Sequence, residues 1–197
     1  SSGATYIGNM EAVAQAIDDF LGEGEEAPAV AAPSETGAFR TILFTDVEGS
    51  TAITRRLGDA KAREVLREHE RIVREALKSH GGSEVKTMGD GFMASFGSAT
   101  KALECAIAVQ RAFAARNEFS ETPIRVRIGL NAGEPVAEEG PDGRSDLFGT
   151  AVIAAARIAA QAEGGEILSS DVVRQLVAGK GFLFADRGDA VLRGFDD

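Results

Sequence analysis

Two aspartates stand where acidic groups could act as a pair. Asp46 follows an apolar run in Phe44-Thr45-Asp46-Val47-Glu48-Gly49-Ser50-Thr51, and Asp90 lies within Lys86-Thr87-Met88-Gly89-Asp90-Gly91-Phe92. If the two runs are neighbouring strands, both carboxylates reach one edge of a sheet. Paired hard-oxygen ligands with room for water and phosphate oxygens are how proteins hold Mg²⁺. Two such ions can clamp the attacking and departing oxygens of a phosphoryl displacement. Val47–Thr51, entering a helix through Ser50, adds backbone N–H groups suited to a polyphosphate. Taken singly, each feature has an ordinary alternative: Asp-Gly is a common hairpin turn, and Asp after a strand is a common loop residue.

Other chemistries find little support. His69 and His80 share one helix with no cysteine or carboxylate at metal-ligand spacing, and read as exposed or half-buried helical histidines. No nucleophile elbow surrounds any serine, no phosphate-binding loop of the Walker type occurs, and Gly89-Asp90-Gly91 lacks dinucleotide-fingerprint spacing.

The elements that must position the aspartates follow from periodicity. Thr41–Thr45 is a β-rich run read as a buried strand. Asp59 is expected to cap a long helix with Ala62, Val65, Leu66, Ile72, Val73, Ala76 and Leu77 on its apolar stripe, stopped by Gly81-Gly82. Glu84–Met88 and Phe92–Phe96 form a hairpin around Gly89-Asp90-Gly91. Alternation would place Glu84 and Lys86 on the same sheet face. Ser98 opens a further helix, Ile124–Leu130 alternates as a half-buried strand, and a Gly/Pro/Glu/Asp-rich excursion covers 133–145. A third, Ala-rich helix spans 149–163. Short strands near 166–168, 182–184 and 190–192 flank a helix at 171–177. The order predicts an α+β fold: a ferredoxin-like βαββαβ core with helices packed on a mainly antiparallel sheet, plus a C-terminal αβ extension.

The 197 residues carry a net charge of −10, which argues against a partner read through its nucleic-acid backbone. Residues 1–40 hold seven of the acids and one base. Met10, Val13, Ile17, Phe20 and Leu21 repeat there at helical spacing, and an aperiodic linker follows. Residues 1–38 are therefore read as an amphipathic helix plus flexible linker, and 39–197 as the main folded domain. The apolar face of that helix must pack on its own domain, a second subunit or a further domain. The single cysteine, Cys105, suits a reducing compartment, and no apolar run is long enough to cross a bilayer, so a cytoplasmic location is expected.

Four ordered segments carry a closer likeness: Phe44–Thr51, Val85–Phe92, Arg127-Ile128-Gly129-Leu130-Asn131-Ala132-Gly133, and Asp146-Leu147-Phe148-Gly149-Thr150 through Arg157. Together they resemble the catalytic domain of class III nucleotidyl cyclases over residues 40–195. The resemblance implies a homodimer with composite sites, each binding ATP with two Mg²⁺ or Mn²⁺ ions and releasing 3′,5′-cyclic AMP and pyrophosphate. It implies Asp46, Asp90 and the Val47 carbonyl as metal ligands, and Gly49, Ser50 and Thr51 beside the phosphates. Arg193 would meet the triphosphate, and Arg157 would stabilise transition-state charge. Lys86 and Asp146 match the base-selecting pair, and an ammonium beside a carboxylate suits adenine, with its ring acceptor and exocyclic amine. Guanylate cyclases have an acid in place of Lys86.

Ile153 stands where the family usually has an asparagine that orients the ribose. It supports an alternative, a degenerate cyclase homology domain that binds nucleotide or dimerises with little turnover. A diguanylate-cyclase-like palm ranks lower. The resemblance leaves room for an additional regulatory domain in the parent protein.

Overall fold

The computed structural model of the chain describes residues 38–139, 145–189 and 192. The expected N-terminal helix, Ala190 and Val191 of the expected last strand, and Arg193 lie outside the described residues.

The described chain runs β1 (Arg40–Val47), α1 (Ser50–Leu57), α2 (Asp59–His80), β2 (Ser83–Met88), β3 (Gly91–Phe96), α3 (Ala99–Asn117), β4 (Val126–Gly133), β5 (Val136–Glu139), β6 (Ser145–Phe148), α4 (Thr150–Gln161), β7 (Ile167–Ser169) and α5 (Asp171–Leu176). The main sheet has the order β2-β3-β1-β4-β7. Its first four strands pair antiparallel and β7 joins β4 in parallel. This is the expected split-βαβ plan with its αβ extension.

Strand alternation divides the apolar residues between two layers. On one face Leu43, Val47, Phe92, Phe96, Ile128 and Leu130 pack with Ile72, Val73 and Leu77 of α2 and Leu103, Val109 and Phe113 of α3. On the other, Ile42, Phe44 and Met93 pack against Ala155 and Ala159 of α4. Helix α4 can lie this close because β4 has a glycine beneath it: a Cβ at Gly129 would stand 2.2 Å from the Ala159 backbone nitrogen. Asn131 ties the other end of the helix, donating from Nδ2 to the Ala151 carbonyl at 3.0 Å.

Four expectations change. The N-cap of α2 is Gly58, and Asp59 is instead an acid in its first turn, where it favours the helix dipole. The polar excursion contains a two-stranded hairpin, β5–β6. Among the described residues no strand forms at 182–184: Phe182 packs against the core, whereas Leu183 is fully exposed and Phe184 is also exposed.

The fourth correction concerns His69, which is buried rather than exposed or half-buried, stacked on Phe113 and tilted against Phe92, each at a 5.6 Å ring separation. Neither ring nitrogen has a hydrogen-bond partner among the described residues. Its spacing from Ile72, Val73 and Leu77 places it on the inward stripe, and the stripe overrides the polarity of the side chain. His80 is half-buried, as expected, with Nδ1 2.8 Å from the Ala76 carbonyl.

Burial drives the His69 imidazole down to about 4. The unfolded chain takes up this proton near pH 6.5 and the folded chain only near pH 4, so stability is complete above pH 6.5 and is lost as pH falls between these values. The loss should reach about 3 kcal/mol, and His69→Leu should remove that part of the acid slope in urea titrations run from pH 7 to pH 4. Gly129→Ala should destabilise the domain by about 1–3 kcal/mol in the same assay, because a backbone atom of α4 cannot yield as a flexible side chain would.

Candidate active site

The carboxylate pair is built at the end of the central strand. Asp46 is paired with Gly91 of β3 on one side and Arg127 of β4 on the other. Asp90 directly precedes Gly91 at the β2–β3 turn. Contact between β1 and β3 is unusually close there, since a Cβ on Gly91 would sit 2.4 Å from the Thr45 carbonyl oxygen. The Phe92 N–H donates to Thr45 Oγ1 at 3.1 Å, fastening the turn to β1.

The local electrostatics record this proximity. Burial raises the Asp46 carboxyl above its ordinary range, and the Asp90 charge raises it further. Arg127 works in the opposite direction, its Nη2 lying 2.6 Å from Asp46 Oδ2. Arg127 Nε is buried without a hydrogen-bond partner among the described residues. Alternation among the β4 residues Val126, Ile128 and Leu130 already placed Arg127 on the polar face. Its partnership with Asp46 depends on strand register and was not foreseen.

Lys86 and Asp146, 60 residues apart, meet as an ion pair of 2.6 Å. Partial burial pulls the Asp146 carboxyl upward, but bonds from Lys86 and from the Leu147 N–H outweigh it and hold the group below its ordinary range. A β-bulge brings Lys86 to this position. Glu84 is opposite Ala94 and Lys86 opposite Met93, so Val85 is the extra residue and the two charged side chains occupy different faces. That corrects the expected shared face. Glu84 instead binds Arg74 of α2, its Oε2 2.9 Å from Nε, and accepts from Thr87 Oγ1.

Asp46, Lys86 and Arg127 thus share the sheet face covered by α4, by their pairing with Gly91, Met93 and Asp46 respectively. Helix α1 starts nearby. Its N-cap is Gly49 in the left-handed region at φ 67°, with no side-chain cap and no acid in the first turn. The N–H groups of its first residues are therefore uncapped by side chains, an arrangement favourable to anions.

Arg157 is not brought to the carboxylates. It is exposed, makes no ion pair with a described residue, and lies two residues from both Ala155 and Ala159, so it projects from the side of α4 opposite its buried face. Ile153 is exposed on that same side.

The donor set suits hard divalent cations, because carboxylate oxygens brought to one edge of the sheet present negative charge that such a cation neutralises. Among the described residues no group of three or more His, Cys, Asp or Glu converges on one point. Two carboxylates leave further positions to backbone carbonyl, water or phosphate oxygens, as suits Mg²⁺ or Mn²⁺ held with a nucleotide.

Residues 34–197 match the family model described as the adenylate and guanylate cyclase catalytic domain. An adenylate cyclase of Podospora anserina is 34% identical over 165 residues, covering 73% of this chain and 8% of that protein, and one of Neurospora crassa is 35% identical, covering 73% and 7%. The chain thus spans under a tenth of the length of these relatives. Among solved structures, an adenylate cyclase from Trypanosoma brucei in its monomeric state superposes with a TM-score of 0.74 at 25% identity, covering 86% of this chain and 90% of that one. The adenylyl cyclase CyaB from P. aeruginosa gives 0.73 at 25% identity, covering 81% and 89%. With the four motifs in order, the ferredoxin-like sheet and the family match over 34–197, the chain belongs to the class III adenylate and guanylate cyclase catalytic-domain family.

Proposed function

We propose that the chain is an adenylate cyclase domain that converts ATP to 3′,5′-cyclic AMP and pyrophosphate as a homodimer with composite sites. The observation that carries the choice of substrate is the 2.6 Å pair between Lys86 and Asp146. The Lys86 ammonium can donate to adenine N1, and the Asp146 carboxylate can accept from the exocyclic amine. Guanine offers a ring N–H and a carbonyl on that edge, which would set donor against donor and acceptor against acceptor.

Asp46, Asp90 and the Val47 carbonyl would hold two Mg²⁺ or Mn²⁺ ions, which when bound supply Lewis-acid activation of the ribose 3′-hydroxyl and charge neutralisation at the triphosphate. The backbone of Gly49–Thr51 would receive phosphate oxygens, together with Arg193. The 3′ oxygen attacks the α-phosphorus as the bond to the pyrophosphate oxygen breaks, the in-line displacement typical of phosphoryl transfer.

Arg157 would stabilise the developing charge from a second copy of the chain. Its projection away from its own sheet supports that role, since a side chain opposite the Ala155/Ala159 stripe faces outward from the domain. Exposed Met88, Val136, Phe148 and Ile153 supply apolar surface for such an association. Ile153 offers no hydrogen bond to a ribose, and this favours the second reading, a degenerate module that binds nucleotide with little turnover.

Product analysis with Mn²⁺-ATP and Mn²⁺-GTP, with the dimer fraction measured in parallel, should give cyclic AMP in excess over cyclic GMP. Cyclic GMP in excess would overturn the adenine assignment, and nucleotide binding without product would favour the degenerate module. Lys86→Glu should lower the ATP-to-GTP product ratio by at least about tenfold, the effect of losing one charged hydrogen bond and opposing another. Asp46→Asn and Asp90→Asn should each weaken Mn²⁺ binding by more than about tenfold in calorimetry while leaving the far-UV spectrum unchanged. Unaltered binding in both would remove the metal assignment.

A further inference from the structure

Phe148 is the last residue of β6, paired with Val136 on β5, and its ring remains 42% exposed. That ring lies 5.3 Å from Lys86 Nζ, within the roughly 6 Å over which an aromatic face attracts a cation. Asp146, two residues earlier, is on the same face of β6 by alternation and holds the same Nζ at 2.6 Å. One short strand therefore presents both a carboxylate and a π face to a single ammonium.

The two contacts do different work. Asp146 engages one N–H of the ammonium, and its Oδ1 is anchored by the Leu147 N–H at 2.8 Å. A lysine held at one point can still pivot about that bond, because its four-carbon stem has many rotamers. The ring supplies a second fixed direction, so the remaining N–H groups are aimed rather than free to sweep. Lys86 is partly exposed, and no other aromatic ring or carboxylate among the described residues pairs with its Nζ.

We infer that Phe148 is a specificity-determining positioning residue, which aims the Lys86 ammonium at a purine ring nitrogen by holding it against the aromatic face. This inference rests on the reading in which Lys86 and Asp146 select adenine. The reaction is unchanged; what changes is how sharply the site separates a ring acceptor from a ring donor.

The test uses the full chain with Phe148→Leu, Phe148→Tyr, Lys86→Met and the Phe148→Leu/Lys86→Met double variant. In lysine labelled with ¹³C at Cε, the Lys86 signal should show an aromatic ring-current shift in the parent protein and in Phe148→Tyr, and lose it in Phe148→Leu. Affinities are then measured for the α,β-methylene analogues of ATP and GTP. The ATP-to-GTP affinity ratio should fall about two- to fivefold in Phe148→Leu, be retained in Phe148→Tyr, and show no additional fall when Lys86 is already methionine. Absence of the ring-current shift overturns the inference, as does an unchanged ratio. An equal loss for both nucleotides that persists in the Lys86→Met background also overturns it, because the ring would then be stacking on the base. If Lys86→Met itself leaves the ratio unchanged, the adenine reading fails and the inference falls with it. A Lys86-dependent ratio that Phe148→Leu does not alter defeats the inference alone.

Discussion

Asp46 is held between two strands in a register that places a second acid on one side and a cation on the other. Gly91 lets β3 come close enough to β1 for the turn carrying Asp90 to lie against Asp46. Two carboxylates brought together in partial burial repel each other. The fold holds them there through many backbone hydrogen bonds, so the sheet rather than any affinity between the acids keeps them adjacent. Arg127 offsets part of the negative charge, and the remaining demand for a cation makes the site suited to divalent ions.

The other functional groups are arranged around this fixed point by asymmetry between the two sheet faces. One face is closed by α2 and α3 and supplies most of the core. Among the described residues α4 is the one helix on the second, admitted by the missing side chain at Gly129, and Leu147 of β6 packs beside it. A single-residue bulge at Val85 turns Lys86 onto this face and leaves Glu84 to bind Arg74 behind the sheet. The β5–β6 hairpin then carries Asp146 to Lys86. The outward projection of Arg157 keeps it away from the carboxylates of its own domain.

His69 shows where composition and periodicity compete. The helical stripe requires an inward residue at that position, and the chain places an imidazole there, between two phenylalanine rings, with neither nitrogen partnered among the described residues. Reading by residue type expected solvent, whereas reading by spacing alone would have placed it correctly. The core gains ring contacts and accepts a neutral imidazole, at the expense of stability in acid.

Sequence patterning by itself determined most of the strand and helix order and the ferredoxin-like sheet, because periods of 2 and 3.6 and glycine turns act over a few residues, while the meeting of Asp46 and Asp90 was conditional on their strands being neighbours, as the β1–β3 pairing makes them. The four ordered motifs also identified the family and paired Lys86 with Asp146. Only the tertiary structure decided that Arg127 faces Asp46, that a bulge separates Glu84 from Lys86, that β5 pairs with β6 across the end of the polar excursion, and that Phe182–Phe184 finds no ladder among the described residues. Each of these depends on register or on the presence of a partner strand, and register is settled by contacts between segments far apart in the chain, where a shift of one residue sends every side chain to the opposite face.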